Sequence, residues 1–113
     1  MDLSVSGAAD GVVVVDVGGS VDVYTASELR SGLDGQIQQG HTRLVVDLQD
    51  VDFMDSTGLG VLVARLKMVR HQNGWLRLVC TNEKVLRVFR ITGLDKVFSI
   101  HDSVDGALEN APR

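Results

Sequence analysis

The chain has 113 residues, a length that suits a single domain. With 44% hydrophobic and 23% charged residues it can build an apolar core, so intrinsic disorder is excluded. The formal net charge of −4 argues against general nucleic-acid binding, and the apolar runs are too short for a membrane span.

Two strands are predicted at the start of the chain. Residues 3–6 alternate apolar and polar side chains, as a half-buried edge strand does. Residues 12–17 are almost continuously β-branched, which is typical of a central strand, and Gly18-Gly19 is predicted to end it. The turn region between the two segments predicts a hairpin.

A first helix is predicted over residues 26–38. Thr25 and Glu28 have the spacing of a capping box, and Gly40 is expected to stop the helix. Its apolar residues recur at helical spacing and are Ala26, Leu29, Leu33 and Ile37.

A strand and a second helix follow. Residues 43–48 are predicted as the strand, and residues 50–54 as a loop or a short extension of it. The helix is predicted over residues 57–72, with Asn73-Gly74 as its stop. Residues 57–64 carry no charge, which indicates that this part of the helix is either buried or covered by a partner.

The remaining segments continue the alternation. They are a strand over 75–80, a helix over 83–92 capped by Asn82, a strand over 96–100 and a helix capped by Asp102. The fold class is therefore predicted to be α/β, with a mixed, largely parallel sheet of about five strands packed by about four helices. The core is expected to span about residues 3–109, with 110–113 as a frayed tail.

Charge and cysteine content bear on partners and compartment. Residues 1–56 carry a net charge of −8 and residues 57–113 carry +4, which fits either complementary charge on a partner or two solvated faces. Cys80, the single cysteine, cannot form an internal disulfide and is interpreted as a core residue. Since Met1-Asp2-Leu3-Ser4 also lacks the features of a signal peptide, we expect a cytoplasmic protein.

The stretch Asp55-Ser56-Thr57-Gly58-Leu59-Gly60 lies between a predicted strand and a predicted helix. Ligands of parallel sheets meet the carboxyl ends of strands, and the first helical turn has unpaired N–H groups and the positive end of the helix dipole. A hydroxyl at Ser56 is therefore either a helix cap or an acceptor for a charged group.

The residue types of this chain allow three other interpretations. Asp47, Asp50, Asp52 and Asp55 could bind a hard cation, but they lack the calcium-loop pattern, and a solvated acidic loop is favoured. A nucleophile elbow at Ser56 would need glycine at position 54, where Met54 stands. A phospho-receiver domain would need paired acids after the first long strand, where the chain has Gly18-Gly19-Ser20.

Four segments resemble, in the right order, the STAS domain of anti-sigma factor antagonists. These segments are residues 22–26, 44–48, 51–60 and 91–94, and the resemblance extends from about Leu3 to Leu108. It is strongest in the 55–60 motif and is especially similar to the actinobacterial branch that includes the BldG-type antagonists. It implies a single STAS domain over residues 1–113.

The resemblance also implies a partner-switching regulator that is not an enzyme and needs no cofactor. The unphosphorylated protein would bind an anti-sigma factor that is also a serine kinase, and so free a sigma factor. The kinase would phosphorylate Ser56 and break the complex, and a metal-dependent phosphatase of the PP2C type would restore the hydroxyl. No direct contact with nucleic acid or membrane is expected, and the protein should be a monomer or a weak homodimer.

The expected partner-binding residues lie around this serine and on the 22–24 turn. They are Asp22, Tyr24, Asp55, Thr57, Gly58 and Leu59. Leu59 has two interpretations, a member of the core stripe of its helix or a partly exposed apolar anchor. Two alternative functions stay open, a STAS scaffold in a stress-signalling complex and a small hydrolase that acts through Ser56.

Overall fold

Five strands form one sheet at the centre of the computed structural model, which describes residues 1–109. They are β1 (Asp2–Gly7), β2 (Val13–Val21), β3 (Arg43–Met54), β4 (Trp75–Val79) and β5 (Ser99–His101). The strands lie side by side in chain order, with β1 antiparallel to β2 and all other pairs parallel. The predicted hairpin and mixed sheet are confirmed. The predicted frayed tail, residues 110–113, lies outside the described residues.

Four helices cover the two faces of this sheet. They are α1 (Ala26–Gln38), α2 (Ser56–His71), α3 (Glu83–Thr92) and α4 (Val104–Glu109). Apolar side chains of α1, α2 and α3 share the larger core cluster with alternate residues of the strands, such as Val15 and Val46. α4 packs on the opposite face, where Ala107 meets Val45 and Val79. The sheet is therefore enclosed by helices on both sides, as a mostly parallel sheet requires.

β2 continues past the two glycines that were predicted to end it. Gly18 pairs with Asp50, and Gly19 adopts a positive φ of 87°. The predicted end was wrong because these glycines accommodate an irregular stretch of the ladder instead of breaking it. The strand therefore reaches Val21, which is fully buried in the core.

β3 extends without a break to Met54, so residues 50–54 are an extension of the strand. Its register with β2 shifts twice, and each shift places one extra residue in β3. Leu48, Val51 and Met54 are all buried, at a spacing of three instead of the strand period of two. The two bulges account for this spacing, because each one turns the following residue to the other face.

Two boundaries near the end of the chain differ from prediction. Leu94–Lys96 is a 3₁₀ turn, and β5 begins only at Ser99, because Leu94 O accepts hydrogen bonds from the N–H groups of Val97 and Phe98. The cap of α4 is Ser103, whose hydroxyl accepts from Gly106 N–H at 3.0 Å. The predicted Asp102 cap is therefore wrong by one residue, whereas the predicted Asn82 cap of α3 is confirmed.

Candidate functional site

The first turn of α2 is capped by Asp55. Its backbone is extended, and its carboxylate Oδ1 accepts hydrogen bonds from Thr57 N–H at 2.9 Å and Gly58 N–H at 3.4 Å. Ser56 is exposed, and within residues 1–109 no hydrogen bond engages its hydroxyl. The helix start therefore does not need the Ser56 hydroxyl as a cap, and the hydroxyl is accessible to another molecule.

Gly58 is a packing position between α2 and the ends of β2 and β3. A Cβ at this residue would lie 2.7 Å from Val21 Cγ1 and 3.1 Å from Met54 Cγ. Only glycine lets the first turn of α2 approach the strand ends this closely. Gly58 is buried, so it shapes the site through its backbone and presents no side chain to a partner.

Leu59 belongs to the core. Its side chain is 3% exposed and packs in the same cluster as Leu62 and Leu66. The hypothesis that it is a partly exposed anchor is therefore wrong, and the core interpretation holds. The physical reason is the close approach at Gly58, which seats the first turn of α2 against the sheet.

Asp22 organises the turn between β2 and α1. Its Oδ1 accepts from Tyr24 N–H at 2.9 Å and from Thr25 N–H at 3.1 Å. The Thr25 hydroxyl accepts from Asp22 N–H at 3.0 Å and donates to Ser20 O at 2.8 Å. The predicted capping box at Thr25 and Glu28 is wrong, because this hydroxyl is already engaged in the turn. Asp22 thus acts locally as a turn former, and its partner contact stays a prediction.

The two turns lie side by side at the carboxyl edge of the sheet. Val21 pairs with Met54 at the ends of β2 and β3, and Asp55 N–H donates to Val21 O at 3.1 Å. The structure therefore brings Asp22 and Tyr24 next to the Asp55–Thr57 segment, at one end of the sheet. The crossover from β2 to β3 through α1 produces this arrangement.

Exposed apolar side chains flank Ser56. Tyr24 is 86% exposed, Val23 63% and Phe53 51%. Sequence reasoning missed Phe53 and Val23 as surface residues of this site. The sequence does contain a signal for Phe53, because this residue stands among acidic residues at the end of a strand. The face of the sheet on which its side chain lies, however, depends on the β3 bulges.

The acidic residues near the site have separate structural roles. Asp52 accepts from the Ser20 hydroxyl at 3.1 Å, Asp55 caps α2, and Asp47 accepts from Gln49 N–H at 3.0 Å. Within residues 1–109 no group of three or more His, Cys, Asp or Glu side chains is arranged to hold a metal ion. These hydrogen bonds give Asp52, Asp55 and Asp47 roles within the fold, and the solvated acidic loop stays a prediction.

Asp47 and Asp50 also lie close to Asp16 on the neighbouring strand β2. Asp16 pairs with Asp47 in the ladder, and Gly18 beside it pairs with Asp50. Partial burial, and to a lesser degree the negative charge of Asp47 and Asp50, raises the pKa of the Asp16 carboxyl above 3.8. The middle of the β2–β3 ladder therefore carries concentrated negative charge.

The hydrolase alternative would need a histidine that can take the proton of the Ser56 hydroxyl. His41 bonds to Gln36 at 2.8 Å, His101 bonds to Ser99 at 2.7 Å, and His71 is at the far end of α2. Within residues 1–109 none of the three histidines hydrogen-bonds to Ser56, so the described part of the chain holds no serine–histidine pair. Along the same residues, no helix combines the length and apolar character needed to cross a membrane.

Comparison with known proteins places the chain in a family. The family model of the STAS domain matches residues 7–107. An anti-sigma-B factor antagonist of Bacillus subtilis is 41% identical over 97 residues, which are 86% of this chain and 88% of that protein. One of Staphylococcus aureus is 36% identical over 91 residues, which are 80% of this chain and 84% of that protein.

A solved structure agrees with these sequence matches. The crystal structure of an anti-sigma factor antagonist from Mycobacterium paratuberculosis aligns with a TM-score of 0.89 at 32% identity, over 97% of this chain and 92% of that one. The family model spans most of the sequence, and it includes both turns of the candidate site. The chain therefore belongs to the STAS domain family.

Proposed function

We propose that this protein is an anti-sigma factor antagonist that works by partner switching, with Ser56 as its phosphorylation site. The observation that carries the proposal is that Asp55 and Ser56 have separate roles at the start of α2. Asp55 supplies the cap, and the Ser56 hydroxyl is left exposed and unbonded. The relatives named as anti-sigma-B factor antagonists support the same function.

In this proposal the unphosphorylated protein binds an anti-sigma factor that is also a serine kinase. Transfer of phosphate to the Ser56 hydroxyl adds a charge of about −1.5 to −2. The Asp55 carboxylate already occupies the Thr57 and Gly58 N–H groups, so the phosphate competes with it or faces outward. Repulsion and desolvation at the contact surface then weaken the complex.

Reversal requires removal of the phosphate. A PP2C-type phosphatase is the proposed enzyme, and the exposed position of Ser56 gives it access. The antagonist itself carries out no chemistry and acts in the cytoplasm. Its single-domain character and its state as a monomer or weak homodimer remain predictions.

The test begins with capture of the kinase. Tagged Ser56→Ala protein, which cannot be released by phosphorylation at Ser56, should retain an anti-sigma factor kinase from extracts of the source cells. The purified kinase with Mg-ATP should then phosphorylate wild type but not Ser56→Ala. Ser31→Ala, which removes another exposed hydroxyl, should be phosphorylated normally. Full phosphorylation of Ser56→Ala would place the site elsewhere.

A further inference from the structure

Three apolar side chains lie exposed on the two turns and the strand end that surround Ser56. They are Val23, Tyr24 and Phe53, which we call the exposed apolar patch, and each is more than half exposed. The other exposed large apolar residues are dispersed over β1, α2, α3 and the segment before β5, as Val5, Met68, Ile91 and Val97. The exposed apolar patch is thus a local concentration beside the site of the proposed function.

The bulges of β3 put Phe53 at the surface. Val51 and Met54 on either side of it are 1% and 2% exposed and fill the core. Phe53 pairs with Ser20, a half-buried polar residue, on the face opposite to Met54. The folded domain therefore leaves half of the Phe53 side chain in water, although Val51 and Met54 of the same strand are fully packed.

Hydrogen bonds hold the parts of the patch in one unit. The Thr25 hydroxyl donates to the carbonyl of Ser20, the residue that pairs with Phe53. Asp55 N–H donates to Val21 O, which joins the start of α2 to the turn that carries Val23 and Tyr24. The backbone segments that carry the exposed apolar patch are therefore held together and tied to the start of α2, whose first residue is Ser56.

Acidic side chains surround the patch. Asp22 and Asp55 lie in the two turns, Asp52 is next to Phe53 on β3, and Asp50 precedes it on the same strand. Within residues 1–109 the ion pairs join Arg65 to Asp34 and Arg90 to Glu83, so these four carboxylates have no basic partner in the structure. An apolar centre with an uncompensated acidic border is complementary to a surface with an apolar recess and a basic border.

We infer that Phe53 and Val23 are the apolar anchors of the anti-sigma factor complex, and that they bind an apolar recess of the kinase bordered by Lys and Arg. This inference rests on the proposed function and takes the place of the anchor interpretation of Leu59. The acidic border disfavours anionic lipid and nucleic acid as occupants, because both repel negative charge. Phosphate on Ser56 then adds negative charge at the edge of a desolvated apolar contact.

Binding of the purified kinase, captured as described above, tests the inference. Affinities of wild type, Phe53→Ala, Val23→Ala and Phe53→Leu are measured by titration, and thermal melting verifies that each variant is folded. Ile91→Ala is the matched control, because Ile91 is 77% exposed and lies near the end of α3. Phe53→Ala is expected to weaken binding by about tenfold or more, Val23→Ala by less, and Phe53→Leu least of the three.

The acidic border of the patch is tested by measuring the affinity for the kinase at several NaCl concentrations. Wild-type affinity should fall as NaCl rises, and Asp52→Asn should reduce that dependence. Binding of Phe53→Ala that equals wild type and Ile91→Ala would overturn the anchors while leaving the proposed function intact. An affinity that is independent of salt would overturn the inference that Lys and Arg border the recess of the kinase. Failure of folded wild-type protein to bind any anti-sigma factor would instead reject the proposed function.

Discussion

Asp55 and Ser56 are adjacent residues with different tasks at the start of α2. Both residue types are good helix caps, but the extended backbone at Asp55 positions its carboxylate under the N–H groups of Thr57 and Gly58. Ser56 is the first helical residue, and its side chain is exposed. The acceptor for phosphate is thus separated from the group that stabilises the helix start.

Two glycines of the same turn should respond in opposite ways to alanine. Gly58→Ala forces a Cβ to 2.7 Å from the stiff, buried Val21 side chain, which should cost about 1–3 kcal/mol. Gly60→Ala places its Cβ in open space and should raise helix propensity by up to about 1 kcal/mol. Urea unfolding measures both changes. Equal stabilisation by the two substitutions would contradict the close approach described at Gly58.

At the scale of elements, α2 and the ends of β2 and β3 form the framework of the site. The bulges of β3 bury Val51 and Met54, and the glycine at position 58 lets α2 pack against that end. Leu59 and Leu62 then anchor the helix in the core. The element that carries Ser56 is therefore held by packing along its buried side, independently of the serine side chain.

Ser56→Asp should accordingly leave the fold almost unchanged. A carboxylate in the first helical turn gains from the helix dipole and loses through repulsion by Asp55, so the net change should be within about 1 kcal/mol. Thermal melting of wild type, Ser56→Asp and the neutral control Ser56→Ala measures it. A loss of several kcal/mol in Ser56→Asp alone would mean that release works by unfolding, contrary to the proposed mechanism.

At the scale of the whole molecule, negative charge is concentrated within the β2–β3 ladder, where Asp16 pairs with Asp47. The pKa of Asp16 is raised, so the folded protein holds this proton more tightly than the unfolded chain does. The stability linked to Asp16 is therefore greatest below pH 3.8 and is lost as the pH rises through the folded-state pKa. Near neutral pH the ionised Asp16 carboxylate therefore slightly lowers the free energy of unfolding.

Asp16→Asn should therefore raise the melting temperature at pH 7, with a gain that shrinks as the pH falls toward 3.8. Added salt should reduce the gain as well, since Asp47 and Asp50 contribute to the shift. Asp95→Asn, at an exposed acid of the 94–96 turn, is the control. A gain that grows on acidification would reverse the sign of this linkage.

Much of this architecture could be predicted from the sequence, because its cues are local. The spacing of Leu29, Leu33 and Ile37 predicted α1, and the 55–60 motif predicted the family. The course of β3 beyond Leu48 could not be predicted, since a bulge changes side-chain direction without changing residue type. For the same reason the sequence missed Phe53 at the surface, whereas the burial of Leu59 depends on the close approach of α2 at Gly58, which residue spacing alone does not reveal.

The hydrogen bond from Asp55 N–H to Val21 O joins the two surface turns before any partner arrives. Ordering a loose segment on association costs about 0.5–1.5 kcal/mol for each immobilised side chain, and turns that are already fixed avoid part of that entropy loss. Docking should therefore resemble a rigid-body encounter, with a heat-capacity change no larger than the buried apolar surface requires. Because the two turns are rigid, they cannot move to carry a phosphate on Ser56 away from a bound partner. We therefore expect phosphorylation chiefly to shorten the lifetime of the complex.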